Sequence, residues 1–403
     1  MDRPLEGVKV VEVAMWVAGP STSAVLGDWG ADVIKLEDPT AGDPIRGFVT
    51  RTMGDPNARI RPLFELDNRN KRSVAVDLRR ADGHAFALKL VERADVFVTS
   101  LRLDAIERMK LDYATLCAKN PRLVYASING YGHRGPDCNR PAYDYSAAWA
   151  RSGLMATIAE PGQSPPAQRP AMIDHAVGLG LAGAISAALL ARERSGRGRE
   201  VTISLFSMGL WMNASDLTVG LMTGRAPQSE SRSERVNPLW SSYRCADARW
   251  IYFVMIQSDR HWPDFCRALG KPDWPGDARF KDSAARAQNC AALTDEIDRA
   301  IASRSCGDWA PIFDRHNLIW APVRTDAEVL DDPQAEAIGA FAAVDHPNIP
   351  GCRVVNSPIE FGDSRRLPHR AAPELGQHTE EVALEMGLTW EEIARLKAAG
   401  TLG

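Results

Sequence analysis

The stretch VKVVEVAMWVAGPSTSAVLGDWGADVIKLE, residues 8–37, decides the fold. Its first residues, 8–13, form a short run rich in β-branched side chains, which predicts a strand. A turn follows, and Ser21 is in position to be the N-cap of a helix over residues 22–29. Gly-Ala-Asp then ends the helix, and residues 33–37 are a second apolar run. A strand, a helix and a strand in about 30 residues predict a βαβ unit.

The alternation of strands and helices continues well beyond this unit. Further strands are expected at residues 73–77, 95–98, 123–128 and 201–205, and further helices at residues 83–93, 104–110 and 174–194. Such alternation is typical of a parallel, doubly wound sheet with helices on both faces. We therefore predict one large α/β domain in this part of the chain.

The composition changes near Gly224. Residues 225–235 are a polar stretch rich in Arg, Ser and Glu, which is typical of a linker. Beyond it, we expect a strand at residues 250–256 and amphipathic helices near residues 260–269 and 290–303. These elements predict a second, smaller α+β domain.

Composition and charge exclude several classes of protein. A chain of 403 residues favours about two domains. Its 48 basic and 52 acidic residues give a net charge of −4, so a dedicated DNA or RNA binder is not expected. The chain starts without an apolar secretory signal, and its longest nearly apolar run, residues 177–191, is shorter than the ~20 residues that span a bilayer. We therefore predict a cytoplasmic protein that does not cross a membrane.

The cysteines point to the same compartment. There are seven of them, and none is spaced from another as in a C-x-x-C or zinc-knuckle motif. An odd, scattered set is typical of reduced thiols in a cytosol. We therefore predict no metal site.

One glycine motif imitates a nucleotide-binding fingerprint. Residues 178–183, GLGLAG, match G-x-G-x-x-G. A dinucleotide site needs a strand directly before the first glycine and a turn into a helix. Here an apolar helical pattern runs without interruption to Leu190. We therefore interpret the glycines as small residues that let a helix pack closely, rather than as an NAD site.

Asp174 stands at the start of that apolar helix and has two interpretations. An Asp in this position is most often the N-cap. A helix N-terminus also keeps a carboxylate ionised and exposes N–H groups that can stabilise an oxyanion. The local spacing does not choose between these roles.

Basic residues cluster near the predicted strand ends, where open α/β sheets bind ligands. They are Arg69, Lys71, Arg72, Arg79, Arg80, Arg102, Arg108 and Arg140. Solvated surface charge is the default explanation for most of them.

A series of short motifs, in order along the chain, resembles those of one enzyme family. They are PLEGVKVVEV at 4–13, AGP at 18–20, LGDWGADVIKLE at 26–37, GDPIR at 42–46, NKRS at 70–73, DL at 77–78, ADV at 94–96, NPRLVY at 120–125, GYG at 130–132, GP at 135–136, SGRG at 195–198 and APELGQHT at 372–379. The chain resembles the class III CoA-transferase family, the group of formyl-CoA transferase and carnitine CoA-transferase. The resemblance covers nearly the whole chain.

This resemblance implies an intertwined homodimer without a metal, in which each subunit has a large Rossmann-like domain and a small one. The large domain takes both chain ends. Its first part is residues 1–223, the small α+β domain is residues 224–325, and residues 326–403 return to the large domain. The implied substrates are an acyl-CoA donor and a carboxylic acid acceptor, with coenzyme A as the group carried and no NAD.

The resemblance also implies a covalent mechanism. The family's nucleophile is an Asp that opens the helix before a glycine-rich turn, and Asp174 has that position here. Its carboxylate would attack the donor thioester to give a mixed anhydride, and then an aspartyl-CoA thioester that the acceptor acid attacks. Asp174 can act both as the N-cap of the helix and as the nucleophile.

Matching by position places coenzyme A against a set of residues that follow the strands. The implied contacts are Trp16, Val17, Val76, Arg79, Ser100, Leu101 and Arg108, with Arg140 as a further basic candidate and Tyr143 and Asp144 near the thioester. Arg79 and Arg108 are the expected phosphate partners, because Arg forms charge-assisted bonds to phosphate oxygens.

Three departures from the family pattern bear on substrate and reaction. The Asn-Phe-Arg-Pro-Gly loop of relatives is replaced by Ser-Leu-Arg-Leu-Asp at 100–104. The glycine-rich loop of formyl-CoA transferase has no counterpart at 255–262, which argues against oxalate. Relatives that racemise 2-methylacyl-CoA have His where this chain has Tyr143, and tyrosine is a poor base at neutral pH.

Three functional hypotheses remain open at this stage. CoA transfer through Asp174 leads, a 2-methylacyl-CoA racemase is the alternative, and a non-catalytic CoA-binding subunit of a heteromeric transferase is the third. The 11 Trp residues are interpreted first as core side chains. If some of these Trp side chains line the acyl site, we expect the substrate acid to be apolar or aromatic rather than very small.

Overall fold

The structure is a computed structural model, and it describes residues 3–48, 61–166, 168–362 and 368–403. The strands are β1 Lys9–Val13, β2 Asp32–Glu37, β3 Lys71–Ala75, β4 Val96–Thr99, β5 Val124–Asn129, β6 Glu200–Ser204, β7 Trp240–Arg244, β8 Trp250–Val254, β9 Trp320–Pro322, β10 Phe341–Asp345, β11 Arg353–Val355 and β12 His369–Arg370. The helices are α1 Ala18–Asp28, α2 Pro62–Asn68, α3 Ala81–Glu92, α4 Leu103–Arg108, α5 Tyr113–Lys119, α6 Leu154–Thr157, α7 Met172–Ser195, α8 Leu205–Met212, α9 Ala214–Thr223, α10 Ser258–Ala268, α11 Ser283–Gln288, α12 Cys290–Ile301, α13 Cys306–Arg315, α14 Asp326–Leu330, α15 Pro333–Ala337, α16 Thr379–Glu385 and α17 Trp390–Ala398. A π-helical segment, Tyr145–Ala150, follows β5.

The main sheet has six strands in the order β3-β2-β1-β4-β5-β6. All five strand pairs in it are parallel. The order reverses between β1 and β4, and open α/β sheets bind ligands at such a switch point. The prediction of an α/β fold with a Rossmann-like doubly wound sheet is confirmed.

Both faces of the sheet are covered, which explains why its strands are apolar throughout. On one face, Val10 and Val33 pack in the core that includes α1 and α7. On the other face, Val11 and Phe97 pack with α3 and the C-terminal helices α16 and α17. Successive side chains of a strand point to opposite faces, so neighbours such as Val10 and Val11 enter different cores.

Neither of the two residues considered as N-caps from the sequence, Ser21 and Asp174, caps its helix. Helix α1 begins at Ala18, so Ser21 lies inside it and its hydroxyl donates to the carbonyl of Ala18 at 3.1 Å. Pro20 is tolerated there because the first turn of a helix needs no N–H from it. Helix α7 begins at Met172, so Asp174 is its third residue and does not cap it.

Helix α7 contains the whole G-x-G-x-x-G sequence, so the strand and turn of a dinucleotide fingerprint are not there. Its first glycine, Gly178, lies against α1: a Cβ at this position would be 2.1 Å from the Ser21 hydroxyl and 3.1 Å from the backbone nitrogen of Thr22. By length and composition α7 passes a test for a membrane-crossing helix among the described residues. Its buried side chains, which include Val177, Leu181 and Ile185, pack in the core on one face of the sheet.

Alanine substitutions test the packing role of these glycines. Gly178→Ala is expected to lower the free energy of unfolding by ~1–3 kcal/mol, because α1 and α7 must separate. The matched control is Gly183→Ala, where a Cβ meets nothing within 4 Å. Since Ala is the better helix former, the control should gain up to ~1 kcal/mol. Urea unfolding followed by circular dichroism measures both, and equal losses would contradict the close-packing explanation.

The chain forms two compact units. One comprises Met1–Ala156, Ala167–Ala226 and Glu336–Gly403, and the other comprises Thr157–Pro166 and Pro227–Ala335. The first unit holds the parallel sheet and also a small sheet of β10, β11 and β12. The second unit has an antiparallel sheet of β7, β8 and β9, whose aromatic core includes Phe253, Phe265 and Phe313.

Candidate active site

The carboxyl ends of β1 to β4 enclose a cavity of about 230 Å³ beside the switch point. Its lining comes from four strand ends and the loops after them. It consists of Val13, Ala14, Met15, Leu36, Glu37, Asp38, Gly42, Asp43, Val76, Asp77, Leu78, Arg79, Leu101 and Met109. Three of the residues matched to the family, Val76, Arg79 and Leu101, are therefore brought together.

Neighbouring contacts fix two of the matched residues. The Ser100 hydroxyl accepts the N–H of Met15 at 3.0 Å, so it ties the loop after β4 to the loop after β1. The Arg79 guanidinium bonds Asp77 at 2.8 Å and Asp38 at 3.0 Å, while 73% of its side chain stays exposed. Arg79 thus reaches solvent at the rim of the cavity.

A second cavity of about 550 Å³ adjoins the first through Leu78, Arg79 and Met109. Its further lining residues are Arg80, Ala81, His84, Ala105, Arg108 and Lys110. The lining that the structure describes is basic and contains no Asp or Glu. Sequence reasoning missed His84 and Lys110, although both lie in the region that follows the strand ends.

The turn after β1 joins these cavities to helix α7. Trp16 has a positive φ of 66°, and its N–H donates to Oδ1 of Asp43 at 3.0 Å. Its indole and the ring of Tyr143 are nearly perpendicular, with 5.6 Å between their centroids. Val17 is buried in one small cluster with Ala171, the residue before α7. The structure thus brings the predicted Trp16, Val17 and Tyr143 to the start of the helix that carries Asp174.

A buried ionic network lies beneath this turn. Lys35 donates to Glu12 at 2.6 Å, to Asp43 at 2.9 Å and to the carbonyl of Ala14 at 2.8 Å. Lys71 contacts the other oxygen of Glu12 at 2.7 Å. Burial opposes a charge on Lys35, but Glu12 and Asp43 outweigh it and raise the pKa of Lys35. Burial, aided by the charge of Lys35, lowers the pKa of Lys71 to about 8.

Asp174 is half-buried in the first turn of α7, beside a second acid. Asp144 is buried, and its Oδ2 accepts the N–H of Ile173 at 3.4 Å. Burial, together with the negative charge of Asp144, raises the pKa of Asp174 to about 7. Burial also raises the pKa of Asp144. A carboxyl group of this kind is a stronger nucleophile when ionised than an ordinary surface Asp.

The residue after the candidate nucleophile is also held. Nε2 of His175 lies 3.0 Å from Oδ1 of Asp67, a buried residue of α2. Sequence reasoning missed this pair, because it predicted no helix at Pro62–Asn68. The available signal was weak: a single Asp among polar and apolar residues.

One predicted contact lies apart from the cavities. Arg140 is on the loop after β5, 3.7 Å from Asp137 and 5.7 Å from the centroid of the Tyr131 ring. It belongs to the lining of neither cavity described above. Its role as a coenzyme contact stays a prediction.

The arrangement is suited to covalent acyl chemistry. It combines a half-buried carboxyl group, a cavity at the strand ends and an adjoining groove with a basic lining. Among residues 3–48, 61–166, 168–362 and 368–403, no group of three or more His, Cys, Asp or Glu side chains is placed to hold a metal ion.

Comparisons with known proteins identify the family. The model of CoA-transferase family III matches residues 5–379. The chain is 32% identical to (R)-2-hydroxy-4-methylpentanoate CoA-transferase of Clostridioides difficile, over 98% of each protein. It is 32% identical to cinnamoyl-CoA:phenyllactate CoA-transferase of Clostridium sporogenes, over 97% of this chain and 95% of that one. The formyl-CoA:oxalate CoA-transferase of an Escherichia coli O157:H7 strain is 29% identical over 98% of this chain and 99% of that one.

A solved structure agrees with this assignment. The crystal structure of a CAIB/BAIF family protein from Brucella suis has a TM-score of 0.85 and 30% identity, over 96% of this chain and all of that one. The family resemblance found in the motifs is confirmed. The chain therefore belongs to CoA-transferase family III, and it is a CoA-transferase.

Proposed function

We propose that this protein transfers CoA from an acyl-CoA donor to a carboxylic acid through covalent intermediates on Asp174. The observation that carries the proposal is the place of Asp174: in the first turn of α7, half-buried, and beside the cluster that holds the Trp16 turn. Burial disfavours the ionised form of this side chain, so its conversion to an uncharged anhydride with an acyl group is favoured.

The exchange balances without an external acid, base or energy source. An Asp174 oxygen attacks the thioester carbon, the C–S bond breaks, and an aspartyl anhydride and CoA thiolate result. The thiolate attacks the aspartyl carbon, which releases the donor acid and leaves an aspartyl-CoA thioester. The acceptor carboxylate repeats the first step on this thioester, and the thiolate then takes the acceptor's acyl group and frees Asp174. Water must be kept from the anhydride throughout.

We infer that the strand-end cavity and the basic groove hold coenzyme A. Arg79 and Arg108 stand at the groove with largely exposed side chains, where they can bind phosphate oxygens. Trp16, Val17, Val76, Ser100 and Leu101 would contact the rest of the coenzyme.

Neutralising Arg108 tests this site. Arg108→Gln is expected to weaken CoA binding roughly 10-fold or more, because a charge-assisted bond to phosphate is lost. The control is Arg122→Gln: Arg122 is also largely exposed, but it precedes β5 and so lies at the amino ends of the parallel strands, away from the groove at their carboxyl ends. Isothermal titration calorimetry with CoA measures both. A similar loss in the two variants would reject the groove as the phosphate site.

A second copy of the chain is the partner we propose. Helices α8 and α9 expose large apolar side chains, with Trp211 74% and Leu221 87% exposed, and α9 buries no residue. Apolar surface of this extent marks interaction sites. An intertwined homodimer, as the family resemblance implies, would cover it. We place the enzyme in the cytoplasm, since all seven cysteines are free thiols.

For the acceptor we propose an apolar or aromatic acid, with 2-hydroxy acids first. The relatives named for 2-hydroxy-4-methylpentanoate and for phenyllactate support this class. Trp16, Tyr143 and Phe48 form an aromatic group near the start of α7. The absence of a glycine-rich sequence at 255–262 argues against oxalate.

A donor and acceptor screen tests the proposed function. The purified chain is mixed with cinnamoyl-CoA, 4-methylpentanoyl-CoA, succinyl-CoA or formyl-CoA and a panel of acids, and new CoA esters are detected by mass spectrometry. We expect transfer to branched or aromatic 2-hydroxy acids. Exchange of the α-proton in deuterated water without any acceptor would favour a racemase. Tight CoA binding without turnover would favour a non-catalytic subunit.

A further inference from the structure

Three carboxylates surround the start of α7. Asp174 lies beside the buried Asp144, and the buried Asp67 faces the same turn from α2. Negative charges placed together in a partly dry site disfavour the ionised form of each. The proposed mechanism needs Asp174 ionised, so something must offset its neighbours.

His175 is placed to do this. Its backbone N–H donates to the carbonyl of Ala171 at 3.0 Å, which fixes the residue in the first turn. Its ring is held from α2, where Nε2 meets Oδ1 of Asp67 at 3.0 Å. The residue is therefore held through its backbone and through Nε2 of its ring, next to Asp174 in the chain.

We propose that His175 is a positioning residue of the transfer reaction proposed above: anchored by Asp67, it carries the positive charge that keeps Asp174 ionised and ready to attack. The catalytic role of His175 in this inference rests on the proposed function. The charge effect itself does not require that function.

Five other charged or titratable groups lie near Asp174 and His175. They are Asp144 and Tyr145 from the segment after β5, Asp67 from α2, Arg69 after α2, and Arg169 before α7. Burial, Asp144 and Asp67 raise the pKa of Asp174, whereas His175 lowers it. Burial lowers the pKa of His175, but Asp67 and Asp174 outweigh burial and raise it. His175 thus keeps its proton to a higher pH than an ordinary histidine.

Protein stability reports this charge without any substrate. Because the pKa of Asp174 is raised on folding, ionisation destabilises the folded state as pH rises above ~4, the ordinary Asp value. The unfolding free energy of the full chain, minus that of Asp174→Asn, should therefore fall with pH and become constant above about 7. The pH at which it becomes constant measures the pKa of Asp174 in the fold.

The experiment repeats this comparison in three further backgrounds. His175→Gln keeps a hydrogen bond to Asp67 but removes the charge, so the plateau should begin ~1 pH unit higher. His175→Lys keeps a charge, and its plateau should begin no higher than in the unmodified chain. Asp144→Asn removes a like charge, so its plateau should begin at lower pH.

The plateaus of these variants either support or reject the role of His175. An unmoved plateau in His175→Gln, or a rise of equal size in His175→Lys, would overturn the role of His175. Should His175→Gln fail to fold, His175→Asn removes the same charge and replaces it in the comparison. If Asp174→Ala kept full CoA transfer, the proposed function would fail while the plateau shifts stood. An inactive Asp174→Ala with an unmoved plateau would reject this inference alone.

Discussion

Asp174→Ala is expected to abolish CoA transfer, with turnover reduced roughly 10⁴-fold or more. The proposed mechanism passes through three covalent intermediates on this carboxylate, two anhydrides and one thioester, and removing a nucleophile costs more than removing a binding contact. The assay is the formation of acceptor-CoA by mass spectrometry, with the best donor and acid from the screen. Retention of full activity would end the covalent proposal.

A trapping experiment separates loss of the nucleophile from loss of the fold. Hydroxylamine added with the acyl-CoA donor should convert Asp174 of the unmodified chain to a hydroxamate, which peptide mass spectrometry locates. The matched control is Asp308→Ala, since Asp308 is also the third residue of a helix, α13, but is exposed. This control should keep both transfer and trapping at Asp174. No adduct on the active enzyme would count against the anhydride and thioester intermediates.

Lys35→Met is expected to lower the free energy of unfolding by ~3–5 kcal/mol. Lys35 is fully buried and bonds two acids, so its removal leaves Glu12 in the interior with Lys71 alone and leaves Asp43 without the ammonium group that it contacts. Breaking a buried pair from one side is costly because the partner charge stays desolvated. Urea unfolding measures the loss.

The control for that variant is Lys89→Met, on the exposed face of α3, where a change within ~0.5 kcal/mol is expected. A second effect follows from the geometry. Asp43 holds the N–H of Trp16, so loosening Asp43 should also weaken CoA binding in the folded fraction. A loss from Lys35→Met as small as that of the control would show that the network does not stabilise the turn.

Much of the fold was predictable from sequence, because periodicity is a local property. Strand β1 was expected at 8–13 and lies at Lys9–Val13, and the helix expected at 174–194 lies at Met172–Ser195. Apolar runs bounded by Gly and Asp were enough to find both. The predicted caps failed because helix starts depend on which backbone groups find partners in three dimensions. At α7 the start is set by Ala171, which has a positive φ of 67°.

The candidate site was predicted only in part. Family motifs indicated Asp174 and the strand-end contacts, and the cavity unites Val76, Arg79 and Leu101. The buried Lys35 was invisible as a functional residue, although a charge in the middle of an apolar strand was a usable signal. The sequence gives no such signal for the partner of this charge, because Glu12 and Lys35 are neighbours only through the register in which β1 and β2 pair.

By itself, the sequence determined the α/β class, the order of most elements and the family, since each depends on residue types along a short stretch of chain. Only the tertiary structure decided the ionic setting of Asp174. Asp67 and His175 are 108 positions apart, and they meet because α2 faces the start of α7. The charge around a nucleophile depends on distances in space and on burial, and neither is a property of neighbours in the chain.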